Sequence, residues 1–399
     1  MTARAPVRQR DLRLDFFRGL GMFIIFVAHV PYNPWKLWIP ARFGASDATE
    51  IFVFCSGMAS AIAFGALFRD RGFWMGTART AFRVWQVYWA HIALFLVTVA
   101  MIAYFDELKG EVFYTDRLYV IPFFESTAEH LIALMTLSYV PNYFDILPMY
   151  LVILVMMPIF AALGLANRWL AFGFMMGVWF VAQMDWVQFS AEVRPEVDRE
   201  WFFNPFGWQL VFFTGFAFMM GWIKPPPFKT WLLALCVAIL AFNVLFASRW
   251  GWRNFEFVMT FRENYWFLFE KTDQGLFRFT HFLALAYICY WAAGEGGRRL
   301  AGSGLWGRFV LVVRKVGQQS LAVFLTGMVA AQAAGAALDF TDRGPLALAA
   351  VNLAGFGLLI AVAYTVAWFK SQPWRKPPQP KAPATDRPSD ALPLTPARA

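Results

Sequence analysis

Leu14-Asp15-Phe16-Phe17-Arg18-Gly19-Leu20-Gly21-Met22-Phe23-Ile24-Ile25-Phe26-Val27-Ala28-His29 decides the fold. It is an apolar run with the character of a membrane span, yet it carries Asp15, Arg18 and His29. Ionisable groups are costly near a bilayer centre and mark function there by default. Arg18 and His29 are eleven residues apart. On an α-helix that is about 1100° of rotation, within roughly 20° of three full turns, and about 16 Å of rise. Asp15 lies one turn below Arg18 and leans to the same side. One helix face therefore presents a carboxylate, a guanidinium and, higher up, an imidazole. The plainer reading of the pattern is a helix-end salt bridge and a satisfied histidine.

The rest of the chain has the same character. Its 399 residues are 59% hydrophobic and 15% charged, with mean hydropathy +0.49, whereas soluble domains average about 25% charged residues. The expected fold class is all-α, a polytopic integral membrane protein with about ten transmembrane helices. Many tryptophans fall near expected helix ends, where interface belts place them. The net charge of +9 is no nucleic-acid signal, because the cations sit beside helix ends. Cys55, Cys236 and Cys289 fall inside expected spans and suit packing. No CxxC, HExxH, P-loop or GxGxxG pattern occurs, so no metal or dinucleotide site is expected.

Working outward, residues 1–14 read as a basic cytoplasmic tail, 15–369 as the transmembrane domain and 370–399 as a disordered Pro-rich cytoplasmic tail. The first run reads as a short membrane helix rather than a cleavable leader, because no small-x-small site follows it. Expected spans are 15–30, 50–68, 84–104, 147–163, 169–184, 207–223, 230–248, 276–293, 309–333 and 346–369. With both termini inside, the inner segments hold 20 of the 35 Lys and Arg and the outer segments 11, in line with the positive-inside rule. Residues 105–146 are acidic and too long for a simple connector, with a re-entrant or surface helix expected from Glu129 to Tyr139. No internal repeat supports an inverted-repeat transporter.

This topology puts Asp15 and Arg18 near the cytoplasmic end of the first span and His29 near the outer end. Glu50 enters the membrane at the depth of His29 on the returning helix, and a histidine–carboxylate pair is a general-base unit. Glu50 or Asp47 serves equally as a cap of the second helix. Arg278 and His281, at i and i+3, share a face of the eighth span, and a structural role suits them as well as a catalytic one. His91 reads as a core residue and His130 as a loop residue. Ser56-Gly57 reads as a close-packing pair. Arg79 and Arg83 stand where cytoplasmic phosphates could reach them, although such residues commonly enforce orientation.

These blocks resemble a known family. Leu14-Asp15-x-x-Arg18-Gly19 with Arg18-x10-His29, followed by Glu50-Ile51-Phe52-Val53-Phe54-Cys55-Ser56-Gly57, looks like the start of the membrane acyltransferase type 3 superfamily. Arg10-Asp11-Leu12-Arg13-Leu14-Asp15-Phe16-Phe17-Arg18-Gly19-Leu20, Arg278-x-x-His281-Phe282-Leu283-Ala284 and Gly317-Gln318-Gln319-Ser320-Leu321-Ala322-Val323-Phe324 are closer still to the OpgC family, which includes glucan succinyltransferases. The resemblance spans residues 10–370. It implies a multi-pass protein of the bacterial inner membrane, with no bound cofactor. It also implies transfer of an acyl group, expected to be succinyl, from cytoplasmic acyl-CoA (succinyl-CoA as donor substrate) to a hydroxyl of a periplasmic glycan. Partners are then the donor, the glycan acceptor and the lipid bilayer, with no nucleic acid. His29 and Glu50 take the catalytic places, and Asp15, Arg18, Arg278 and His281 the substrate- and donor-binding ones. A polar tunnel along the Arg18–His29 face is expected to carry the thioester arm. The competing reading is a transporter or flippase of an anionic glycolipid or glycan precursor, using the same Arg and His as substrate contacts.

Overall fold

The computed structural model describes residues 11–192 and 198–375. Residues 1–10 of the basic tail and 376–399 of the Pro-rich tail lie outside the described residues. No strand occurs among the described residues, and Ser190 and Glu200 form an isolated β-bridge.

The main helices are α1 (Leu12–His29), α2 (Ala48–Ser60), α3 (Phe73–Lys109), α4 (Thr127–Met135), α5 (Ile146–Ala166) and α6 (Arg168–Gln183). After them come α7 (Pro205–Met220), α8 (Thr230–Phe246), α9 (Leu276–Ala292), α10 (Gly304–Gln318), α11 (Ser320–Asp339) and α12 (Pro345–Ser371). A π-helical stretch, Ala61–Gly65, joins α2 to a further helix, Ala66–Arg71. Among the described residues, five helical stretches are long and apolar enough to cross a membrane: Ala48–Arg71, α3, α5, α11 and α12. The chain is a membrane protein on that ground. In α1 the three charges Arg13, Asp15 and Arg18 fall within 18 residues, and α7 and α8 are apolar but shorter, at 16 and 17 residues.

Several boundaries move, most of all that of the third expected span, 84–104, which is extended at both ends into α3 (Phe73–Lys109). The first helix begins at Leu12 rather than at residue 15, because the Asp11 carboxylate caps it by accepting from Arg13 N at 3.0 Å. The ninth expected span, 309–333, is cut at Gln319 into α10 and α11. Helix α10 buries Val310, Val313 and Val316 while Arg308, Leu311 and Trp306 stay exposed. It packs across α1 instead of continuing the crossing helix.

Glycines set the closest approaches. A Cβ on Gly19 would stand 2.0 Å from the Val313 carbonyl oxygen, and one on Gly317 would stand 1.9 Å from that of Asp15. Helices α1 and α10 therefore meet backbone to backbone, as small residues permit in membranes. Gly57 meets the Phe212 carbonyl oxygen and Gly215 that of Phe54 in the same way, locking α2 onto α7.

The 105–146 segment is ordered by a side chain at its start. Asp106 accepts from the backbone N–H groups of Phe113, Tyr114 and Thr115 at 2.9, 2.6 and 3.0 Å. The expected helix within this segment is α4, and its end is held by the Tyr88 hydroxyl donating to Met135 O at 2.8 Å. His130 is not a bare loop residue. It is buried in α4, with Nε2 3.2 Å from Glu192 Oε1.

Candidate functional site

The start of α2 is built by a capping box. Asp47 accepts from Thr49 N at 2.7 Å, and Glu50 Oε2 accepts from Asp47 N at 2.8 Å. This satisfies orphan N–H groups of the helix end and aims both carboxylates at α9. Arg278 answers from that helix, donating from Nε at 2.9 Å and Nη2 at 2.6 Å to Glu50 Oε1. Lys271, in the segment before α9, donates from Nζ to Asp47 Oδ2 at 2.6 Å, and Arg278 Nη2 stands 3.4 Å from the same oxygen. Glu50 is fully buried and Arg278 nearly so. Two acids and two cations thus balance in a place where an unpaired charge would be very costly. Burial opposes the charged form of Asp47, but Lys271 and Arg278 outweigh it and hold the carboxyl well below the usual carboxylate range.

His281 lies one turn along α9 from Arg278. Its Nδ1 accepts from Ser46 N at 3.3 Å and lies 2.7 Å from Ser46 Oγ. A backbone N–H can only donate, so Nδ1 is the acceptor and the ring proton sits on Nε2. That edge presses on Gly44, where a Cβ would come within 2.2 Å of Nε2. Arg278 and His281 together pin α9 to residues 44–50.

His29 closes α1 at the same end of the bundle. Its Nδ1 is 2.7 Å from the Ile25 carbonyl oxygen. A carbonyl only accepts, so Nδ1 donates and Nε2 keeps its lone pair. The expected His29–Glu50 pairing is not made directly. Glu50 spends Oε1 on Arg278 and Oε2 on Asp47 N, and the group that orients the imidazole is the Ile25 carbonyl. Asp47 and Lys271 lie within electrostatic reach of His29, so imidazole and charge cluster share one region. The Tyr143 ring meets His29 edge-on at 5.4 Å, and Tyr143 holds φ +91°, a strained conformation for a bulky residue.

At the other end of α1, Asp15 is buried and accepts from Gln318 Nε2 at 3.1 Å. Arg18 lies within electrostatic reach of Asp15, of Cys55 on α2, of Tyr150 on α5 and of Arg83 on α3. Its Nε is buried without a hydrogen-bond partner. The expected site residues therefore divide into two groups. Asp15 and Arg18 belong to the Leu12 end, and His29, Glu50, Arg278 and His281 to the other. The cavity at this end is not the expected tunnel along the Arg18–His29 face, since neither residue lines it. It is about 140 Å³ and is lined by Leu14 and Phe17 on the adjoining face of α1. His91 is buried with neither ring nitrogen hydrogen-bonded.

Sequence reasoning missed Lys271 and Tyr143. Each lies in an irregular segment, with no periodicity to aim it, and only folding brings it to His29. Asp47 was visible as a cap, because an acid three residues before Glu50 at a helix start is the capping-box spacing.

Comparison with known proteins adds one finding. The family described as OpgC protein (OpgC_C) matches residues 10–371. No curated protein and no solved structure matches the chain.

Proposed function

The chain belongs to the OpgC family, and from that premise we propose that it is a membrane O-acyltransferase acting on a glucan-type glycan. The finer reading is ten crossings with both termini cytoplasmic, acyl-CoA as donor, succinyl as the acyl group and a periplasmic sugar hydroxyl as acceptor. It also places the chain in the bacterial inner membrane and the wider type 3 acyltransferase superfamily, on the Arg18-x10-His29 element.

The observation that carries the proposal is the tautomer of His29. With Nδ1–H on the Ile25 carbonyl, Nε2 is free to take a proton, as a general base requires. In the proposed reaction the acceptor hydroxyl gives its proton to His29 Nε2 while its oxygen attacks the thioester carbonyl. The tetrahedral oxyanion needs a donor. Lys271 is suited to that, since its ammonium has three N–H bonds and one is on Asp47. Collapse breaks the carbon–sulfur bond, and the His29 proton goes to the departing thiolate. Glu50 and Arg278 then act as a positioning pair that holds Asp47 and α9 in register. Arg18 is assigned to the donor's anionic groups.

Cell-envelope glycans from cells with and without the protein, analysed by mass spectrometry, test the reading. The expected result is an acyl mass increment that disappears on His29→Ala while purified His29→Ala protein still binds CoA. Graded loss of glycan export with no acylated product would favour a transporter instead.

A further inference from the structure

The Tyr143 ring that meets His29 edge-on is itself held by α11. Met328, Gln332, Gly335 and Asp339 recur at helical spacing and share one face of that helix. The Tyr143 hydroxyl donates to Met328 O at 2.5 Å, and Gln332, one turn on, makes a side-chain hydrogen bond with the same hydroxyl. Arg117 reaches this face from the acidic 105–146 segment. It ends a short helix, Tyr114–Arg117, whose start is held by the Asp106 carboxylate. Its Nη2 donates to Gln332 Oε1 at 3.0 Å, and its Nη1 lies 3.8 Å from Asp339 Oδ2. The other oxygen of Asp339 accepts from Arg343 Nε at 3.1 Å, and Arg343 Nη1 donates to Pro31 O at 3.2 Å.

The hydrogen-bond roles set a direction along this line. A guanidinium only donates, so Gln332 turns its oxygen to Arg117 and its NH2 to Tyr143. The Tyr143 hydroxyl accepts that N–H and gives its own proton to one acceptor, Met328 O. Without a donor at position 117 the amide is free to turn over and offer Oε1 to the hydroxyl as a second acceptor. The ring then has two resting places instead of one beside the imidazole.

We propose that Arg117 is a positioning residue for His29, acting through Gln332 and Tyr143. The same α11 face holds Pro31, two residues beyond the histidine, through Asp339 and Arg343. Ring contact and backbone of the candidate base are thus both referenced to one helix face, and Arg117 ties the 105–146 segment to it. This rests on the reading of His29 as the base and adds a residue outside the blocks that carry the family resemblance.

The test uses the purified full chain in detergent with isotope-labelled histidine rings. Its four histidines give four magnetic-resonance signals, assigned by single His→Gln variants. An aromatic ring displaces the signal of an imidazole beside it, so Tyr143→Leu marks where His29 resonates without the ring. Arg117→Met is expected to move the His29 signal toward that mark, and Arg117→Lys, which restores a donor, to leave it near the native position. Gln332→Met keeps the Arg117–Asp339 contact and is expected to give the same displacement, with no further change in the double variant. In transfer assays with acyl-CoA and glucan, kcat of Arg117→Met should fall about five-fold with KM unchanged, the split expected when substrate contacts are kept. A His29 signal that stays native in folded Arg117→Met and Gln332→Met proteins overturns the inference. So does an equal displacement of the His281 signal, which would mean a general loosening. A native chain that transfers no acyl group, with the His29 displacement still present, overturns the acyltransferase reading and leaves the link from Arg117 to His29 standing.

Discussion

The Tyr143 ring stands edge-on to the His29 imidazole, with centroids 5.4 Å apart and planes at 78°. The Tyr143 hydroxyl donates to Met328 O at 2.5 Å, and its backbone holds φ +91°. Its ring, anchored by that bond beside a candidate base, is expected to act as a positioning group for His29. Tyr143→Phe keeps the ring and loses one hydrogen bond of about 1 kcal/mol, so a transfer rate lowered about five-fold is expected. Tyr143→Gly relieves the φ strain but removes the ring. It is expected to melt no lower than Tyr143→Ala while losing as much activity. A Gly variant as active as the native protein would show that the ring has no part in positioning His29.

The Glu50–Arg278 pair yields a second expectation. Arg278→Met leaves a buried carboxylate without its partner, at a cost of roughly 3–5 kcal/mol. Adding Glu50→Gln removes that charge and leaves an amide oxygen to accept from Asp47 N. Thermal unfolding in detergent should show the double variant melting above the single one. Equal melting temperatures would mean that the pair is not the source of the loss.

Close packing of α1 on α10 is testable at Gly317, where a Cβ would fall 1.9 Å from the Asp15 carbonyl oxygen. Gly317→Ala is expected to cost more than 3 kcal/mol, in the range of severe overpacking, and to lower the yield of folded protein. Gly173→Ala, with nothing within 4 Å of the new Cβ, is the matched control and should be neutral.

Asp273 carries a pH dependence. Burial, with Asp185, Glu270 and Glu200 adding to it, pushes its carboxyl up to about 6 against the opposing hydrogen bond from Asn204. Unfolded, the carboxyl loses its proton near 3.8. Folded, it keeps the proton until about pH 6, so stability falls as pH rises between those values. Asp273→Asn cannot ionise and keeps an oxygen for Asn204. At pH 8 it should melt higher by on the order of 1 kcal/mol, about 2 °C, and below pH 4 the gain should vanish. A gain of the same size at pH 3.5 would assign the effect to packing.

The amino-acid sequence alone determined the helical, membrane-embedded class of structure and which residues of the first helix share a face. A long apolar chain must close its backbone hydrogen bonds in helices, and that follows from composition. The spacing of Arg18 and His29 put them on one face because helix geometry is regular. Glu50 as part of a cap was legible for the same local reason. Gly19 and Gly317 could be read as motif glycines, but only packing shows that each lies against the backbone of the partner helix.

Which groups pair across the bundle was decided by tertiary structure. Arg278, rather than His29, takes the Glu50 carboxylate because a buried guanidinium and a buried carboxylate each need a charged partner, whereas a neutral imidazole is satisfied by the carbonyl one turn back. Lys271 and Tyr143 sit in irregular segments whose path no periodicity constrains. The break at Gln319 was invisible because hydropathy cannot distinguish one bent apolar run from two helices meeting at an angle. The cavity at the Leu12 end could not be read either, since it is the space left between three helices that are distant in sequence.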